Sequence, residues 1–269
     1  MPDLGQLPRA LRERALFTRL TDNASVPALL AHPDEHWHEH DARPTPRPVV
    51  LWMHGRTVSK EIDPGRYLRW LRAGIATCAI DLPGHGERMD RSRHTSDKTL
   101  GVIEECLPEI DRVMDHLRTG FNGAFDTTRA AIGGMSAGGM VTLARLCTDH
   151  PFAAAAVEST AGDFAVMQGH PFFEPGAVGR LNPIARIEGW RDIPLLALHS
   201  EKDEWVPVEG IRNFVEALRA AGKGTSGVEL VTWPETGAPA EHAGFGRVSN
   251  EAKNIQTDFL VRVLQPEAV

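Results

Sequence analysis

The sequence predicts an α/β architecture: a mostly parallel central sheet of about eight strands, covered by helices in three layers. Three observations carry this expectation. Short apolar runs alternate with longer amphipathic segments along most of the chain. The 269 residues suffice for one large domain of that kind, at roughly 150 residues per average domain. Hydrophobic residues at 42% and charged residues at 24% are the balance of an ordinary globule.

Taken in order, residues 15–21 (ALFTRLT) and 26–32 (VPALLAH) read as an antiparallel hairpin around a turn at Asp22, Asn23, Ala24 and Ser25. Residues 48–53 (PVVLWM) form a buried-strand candidate, and 67–73 a helix packing Tyr67, Leu68 and Leu71. A second short strand covers 75–80. Residues 100–117 place Val102, Ile103, Leu107, Ile110, Val113, Met114 and Leu117 at helical spacing, with Pro108 expected to kink or split the helix. Strands follow at 130–133, 153–157, 193–199 and 228–233. Helices follow at 139–146, 211–221 (stopped by Gly222) and 250–264. One stretch breaks the alternation. Residues 161–190, rich in Gly, Pro, Phe and His, form an insert of about 30 residues, a length that in a compact domain points to a functional lid or cap. The chain thus reads as a single domain over 1–269 with a small cap at 161–190.

Composition excludes several classes. A formal net charge of −7 lacks the basic footprint of a nucleic-acid binder. The 25 glycines and 19 prolines are too few for a low-complexity chain. Cys78, Cys106 and Cys147 are too few for a disulfide framework, and Cys78 and Cys147 read as small core residues. Arginines scattered through residues 1–20 leave no apolar core for a secretory signal, and apolar runs such as 49–53 and 152–157 fall far short of the roughly 18 residues that span a bilayer. The expectation is a cytoplasmic protein that engages neither membrane nor nucleic acid; its oligomeric state is not encoded legibly.

The sharpest motif is Gly134-x-Ser136-x-Gly138, set between an apolar strand and an apolar helix. A tight strand-to-helix turn exposes the serine oxygen and demands small neighbours, which Gly134, Ala137, Gly138 and Gly139 provide. The turn also puts the Ala137 N–H at a helix N-terminus, where it can donate to a developing oxyanion. A phosphate loop would carry Gly-Lys-Ser/Thr, which is absent. A serine needs a base, and the base an orienting acid. Asp203 lies in the turn after the 193–199 strand, and His242 follows the 228–233 strand, completing the chain order serine, acid, histidine.

With these pieces the sequence resembles the serine-hydrolase branch of the α/β-hydrolase fold family, over about residues 15–264. The matching motifs are His54-Gly55 after one strand, Asp81-Leu82-Pro83-Gly84-His85-Gly86 after the next, the turn at Ser136, the loop from His199 to Pro207, and Glu241-His242. The nearest look is to bacterial carboxylesterases near the dienelactone-hydrolase and prolyl-oligopeptidase-like groups. The chain departs from lipases with an HGGG stretch, because Arg56-Thr57 follows His54-Gly55, and from relatives with a cysteine or aspartate nucleophile. The resemblance implies a nucleophile at Ser136, a base at His242 and an acid at Asp203. It implies a second oxyanion donor at the Arg56 N–H.

Other residues compete for these roles. Glu201, Glu204, Asp192, Glu158 and Asp163 are alternative acids; the family's acid-loop pattern favours Asp203. His54 and His85 sit in Gly-flanked turns and suit loop hydrogen bonding, and His199 suits buttressing of the acid loop. His32, His36, His38 and His40 invite a zinc reading, but their spacing fits no helical HExxH pattern and suits an exposed loop. Met135, Phe164, Met167, Phe172, Phe173 and Phe245 are expected to wall the substrate pocket. The whole predicts hydrolysis of small-molecule carboxylic esters of short to moderate acyl chain, without metal or cofactor. A peptidase or amide hydrolase with the same triad, with Glu158 or Asp163 anchoring an amine, is the alternative; a zinc hydrolase and a non-catalytic binding protein rank below it. The Arg56 side chain, beside the proposed oxyanion hole, would favour a polar or acidic acyl group.

Overall fold

The computed structural model describes residues 7–21 and 25–265; residues 22–24 of the expected hairpin turn lie outside them. A short helix α1 (Arg9–Arg12) leads into the antiparallel pair β1 (Ala15–Leu20) and β2 (Val26–Ala31). Then come β3 (Arg47–Met53), α2 (Pro64–Arg72), β4 (Ala76–Ile80), α3 (Thr99–Thr119), β5 (Phe125–Met135) and α4 (Ala137–Leu146). The remainder is β6 (Ala154–Glu158), α5 (Pro175–Leu181), β7 (Leu195–Ser200), α6 (Glu209–Ala220), β8 (Val228–Trp233) and α7 (Ser249–Leu264).

The strands make one eight-stranded sheet in the order β1-β2-β4-β3-β5-β6-β7-β8. β2 pairs antiparallel with both β1 and β4, and every pairing from β4 to β8 is parallel. This is the α/β-hydrolase fold. β3 shows why its strands are continuously apolar: Val49, Leu51 and Met53 join the core under α3, α4 and α6, whereas Val50 and Trp52 join the core under α1, α2 and α7. A strand buried on both faces has no polar side to alternate with. Among the described residues no helix is long and apolar enough to cross a membrane.

Of the kink or split expected at Pro108, the split does not occur, and α3 runs through it for 21 residues. Proline deprives the Glu104 carbonyl of its partner, but both residues are exposed, so water can take that place. The opposite face buries Val102, Ile103, Ile110, Val113 and Leu117. At about 1.5–3 kcal/mol for each fully buried aliphatic side chain, that packing outweighs the roughly 3 kcal/mol cost of an interior proline.

The insert folds as a 3₁₀ turn at Phe164–Met167, then α5, then a 3₁₀ segment at Pro183–Gly189. The backbone is crowded at the turn between β5 and α4. A Cβ on Gly138 would stand 2.3 Å from the Met53 carbonyl oxygen, and one on Gly134 would stand 2.6 Å from the same atom. Gly138→Ala should therefore destabilise the protein by about 1–3 kcal/mol, read as a lower melting temperature of about 2–4 °C per kcal/mol. Gly101→Ala, exposed in α3 with nothing within 4 Å of the new methyl, should raise it slightly.

Candidate active site

The Ser136 turn is strained and held. Its φ of 53° and ψ of −117° lie where a non-glycine residue rarely goes, at a cost of about 1–3 kcal/mol. Three bonds over-determine it. The Ser136 N–H donates to the Glu158 carbonyl at the end of β6 (2.8 Å). The Ser136 carbonyl accepts from the Met140 N–H (2.9 Å) and the Thr160 hydroxyl (2.9 Å). Ala137, as the first residue of α4, has an N–H outside the helical ladder. A Cβ on Gly55 would stand 3.4 Å from the Ser136 Cβ, so the loop after β3 runs directly beside the serine.

Ser136, His242 and Asp203, 106 residues apart at the extremes that touch, come together in one line. His242 Nδ1 is 2.8 Å from Asp203 Oδ2, and His242 Nε2 is 2.9 Å from Ser136 Oγ. A carboxylate only accepts, so Nδ1 carries the proton of the neutral ring and Nε2 is left to accept from the serine. Asp203 is itself oriented: its Oδ1 accepts from the N–H groups of Trp205 (2.9 Å) and Val206 (2.8 Å). His199 stands 3.5 Å from Asp203 Oδ2, with Nε2 on the Val206 carbonyl (2.9 Å), beneath the acid loop.

Each contributing loop is tied down by polar side chains. In the loop after β3, His54 Nδ1 donates to the Gly55 carbonyl (2.6 Å) while its Nε2 accepts from the Leu82 N–H (3.1 Å). Burial pushes His54 down to about 4, which keeps the ring neutral for both bonds. Further along, the buried Lys60 ammonium meets Asp81 at 2.9 Å, Glu87 at 2.8 Å and Glu61 at 2.8 Å. Burial alone would lower that ammonium, but these acids hold it above its usual value. The histidine loop is fixed by Glu241, whose carboxylate accepts from the Ser200 hydroxyl (2.7 Å), the Thr236 N–H and hydroxyl (2.7 Å each) and the Gly237 N–H (2.6 Å).

A cavity of about 630 Å³ opens above Ser136. Of the residues expected to wall the substrate pocket, Met135, Met167, Phe172 and Phe245 line this cavity. Phe164 and Phe173 do not. Phe164 is fully buried behind Phe172, edge-on with ring centroids 5.7 Å apart, and Phe173 packs on the core beneath the insert. Which aromatics of the insert face the cavity depends on how it packs against the core, which composition cannot resolve.

Sequence reasoning missed the charged side of this cavity. Arg66 clamps Glu158 with two parallel bonds (2.5 and 2.8 Å) and reaches Asp63 (3.2 Å) and Gln256. Its guanidinium lies over the Trp52 ring at 4.4 Å. Lys253 holds the other oxygen of Asp63 at 2.9 Å. Burial opposes ionisation of Asp63, but Arg66 and Lys253 keep its carboxyl below the usual range. Asp63 before Pro64 is a legible helix start, and its side chain does cap α2; nothing in the sequence says that Arg66 will meet a carboxylate 92 residues on. Trp205 was also missed. It is 52% exposed at the cavity, with its ring 4.9 Å from that of His242. Asp163 serves elsewhere, accepting from Ala165 N–H and Asn213. Of the early histidines, the buried His32 accepts from the Asp34 N–H, while His36 and His40 sit exposed beside Glu39 and Asp41.

The fold and these convergent groups define a serine hydrolase of the α/β-hydrolase fold. Residues 66–267 match the prolyl oligopeptidase family, and the chain belongs to that family. Among solved structures, TT1662 from Thermus thermophilus is 22% identical over 94% of this chain and 99% of its own, with a TM-score of 0.69. Esterase 2 of Thermogutta terrifontis is 19% identical over 99% of this chain and 98% of its own, with a TM-score of 0.67. A puromycin-hydrolyzing peptidase of Mycobacterium tuberculosis is 21% identical over 96% of this chain but 41% of its own, with a TM-score of 0.71. At such identities the likeness concerns the fold. No curated protein matches the chain.

Two outcomes follow. Arg66→Met leaves Glu158 buried without its cation and should cost about 3–5 kcal/mol in urea denaturation, most of which the double variant Arg66→Met/Glu158→Leu should recover. Its four donors push Glu241 from the usual 4.5 to about 2. A depressed carboxyl stabilises the fold above its unfolded-state value and loses that contribution as pH falls through the folded one. The stability gap between wild type and Glu241→Gln should therefore be full at pH 6 and narrow steadily below pH 4.5, measured by urea titration across that range.

Proposed function

We propose that the protein is a carboxylesterase that cleaves small-molecule carboxylic esters of short to moderate acyl chain through an acyl-enzyme on Ser136. The observation that carries this reading is the continuous hydrogen-bonded line from Asp203 through His242 to Ser136, opening into the 630 Å³ cavity. His242 Nε2 takes the serine proton as Oγ attacks the ester carbonyl. Asp203 keeps the proton on Nδ1 and stabilises the imidazolium that forms. The N–H groups of Ala137 and Arg56 receive the oxyanion, each such donor being worth about 2.7–4 kcal/mol in a transition state. His242 then protonates the departing alcohol, and a water activated by the same nitrogen releases the acid. No cofactor enters any step. The segment 161–190 acts as a small cap on a single hydrolase domain, and the protein works in the cytoplasm, apart from membranes and nucleic acid.

Two observations favour an ester over an amino-terminal peptide. An aminopeptidase needs a carboxylate free to bind the substrate's ammonium. Two acids of the cavity wall, Asp63 and Glu158, are already neutralised by Lys253 and Arg66, and the third, Glu204, is exposed to solvent. Asp163, the other sequence candidate, is absent from the cavity wall.

Ser136→Ala should lower kcat on p-nitrophenyl butyrate by about 10³-fold or more and abolish labelling by a fluorophosphonate probe, with the circular dichroism spectrum unchanged. Asp203→Asn, which leaves the ring in the wrong tautomer, should cost about 10⁴-fold. Faster turnover of aminoacyl p-nitroanilides than of p-nitrophenyl esters would reverse the esterase assignment in favour of the peptidase.

A further inference from the structure

The wall of the cavity holds two kinds of charge. Asp63, Arg66, Glu158 and Lys253 answer one another in a single network. Arg56 stands outside it. Its side chain is half-buried at the cavity, where Nη1 donates to the His94 carbonyl oxygen. That acceptor is neutral and fixed. His94 Nε2 meets the Gly84 carbonyl at 3.0 Å, and its ring stacks on His85 with centroids 4.5 Å apart. Among the described residues no carboxylate lies within ion-pair distance of the Arg56 guanidinium, and burial by itself draws its pKa down. The buried cations Lys60, Arg66 and Arg145 each hold a carboxylate. A guanidinium has five donors, so Arg56 keeps most of its fork for an acceptor that the protein does not supply. Glu204, the remaining acid of the wall, is exposed on the loop of Asp203, where solvent screens it.

We propose that Arg56 reads a carboxylate on the substrate, so that the site takes half-esters of dicarboxylic acids with the free acid group on the acyl part. Arg56 then meets the substrate twice. Its backbone N–H faces the ester oxygen that becomes the oxyanion, and its guanidinium takes the distal carboxylate by a charge-assisted, two-pronged bond. The span of the acyl chain is thereby set by the length of one arginine side chain. This rests on the esterase reading above and adds the class of substrate to it.

The test separates the two. Binding is measured by calorimetry on the Ser136→Ala protein with monomethyl adipate and its neutral counterpart, dimethyl adipate. The monoanion should bind about tenfold more tightly, as a charge-assisted pair in a half-buried site allows. Arg56→Gln in the same background should erase that preference, and Arg56→Lys should restore part of it. In the unsubstituted enzyme, kcat/KM for the monoanion relative to the diester should fall as salt is raised, an arm that needs no Arg56 variant to fold. Equal affinity for both esters, or a preference that survives Arg56→Gln, overturns the inference. Preference for 6-acetoxyhexanoate over monomethyl adipate overturns the acyl-side placement. Ser136-dependent turnover of p-nitrophenyl butyrate without any advantage for the monoanion removes only the role of Arg56. Arg56-dependent binding with no ester turned over removes the esterase reading and leaves the carboxylate site.

Discussion

The close approach of the Gly134–Gly138 turn to the end of β3 is the constraint on which the site depends. The Met53 carbonyl lies within 3 Å of where a Cβ would stand on each of the two glycines. The absence of two side chains lets the strained Ser136 turn sit directly beside the His54–Arg56 loop. The Cα and Cβ of the serine and both proposed oxyanion donors therefore belong to one block of closely packed backbone, and the serine oxygen is aimed by its bond to His242. The strain at Ser136 is held in place by bonds to β6, to Thr160 and to the first turn of α4, so it persists in the folded state.

Around this block the protein solves the same problem three times. A loop at the edge of a sheet carries backbone N–H groups with no strand to receive them. Asp81 collects those of Lys60 and Glu87, Asp203 those of Trp205 and Val206, and Glu241 those of Thr236 and Gly237. Each carboxylate thus organises one of the loops that bear the reactive groups. Asp203 does so while its second oxygen orients His242, which links loop rigidity to the tautomer of the base. Positioning and chemistry are supplied by the same atoms.

The charges of the cavity are balanced by a different logic. A buried ion pair contributes little net stability, because desolvation consumes most of the attraction. The Asp63–Arg66–Glu158–Lys253 network is better understood as a scaffold that joins the start of α2, the end of β6 and α7 under the cavity floor. Once those four charges have cancelled, Arg56 is the cation left facing the ligand space without an acid. The proposed anionic substrate rests on this half-buried cation, since the other unpaired charge of the wall, Glu204, is exposed to solvent.

The sequence by itself determined the strand order of chemistry and the local turns. Apolar runs too short for helices marked the strands, and Gly134, Ser136 and Gly138 marked the turn between β5 and α4, because a steric demand on neighbouring residues is written in neighbouring residues. The order Ser136, Asp203, His242 was legible for the same reason, each residue standing at a strand end. Tertiary structure alone decided what lies between distant segments: that Phe164 turns behind Phe172, that α3 survives Pro108, that Arg66 spends its charge on Glu158 and Gln256, and that Arg56 keeps its own. Those outcomes depend on which surfaces are buried against each other, and a pairing across 92 or 190 residues leaves no periodicity in the chain from which it could be read.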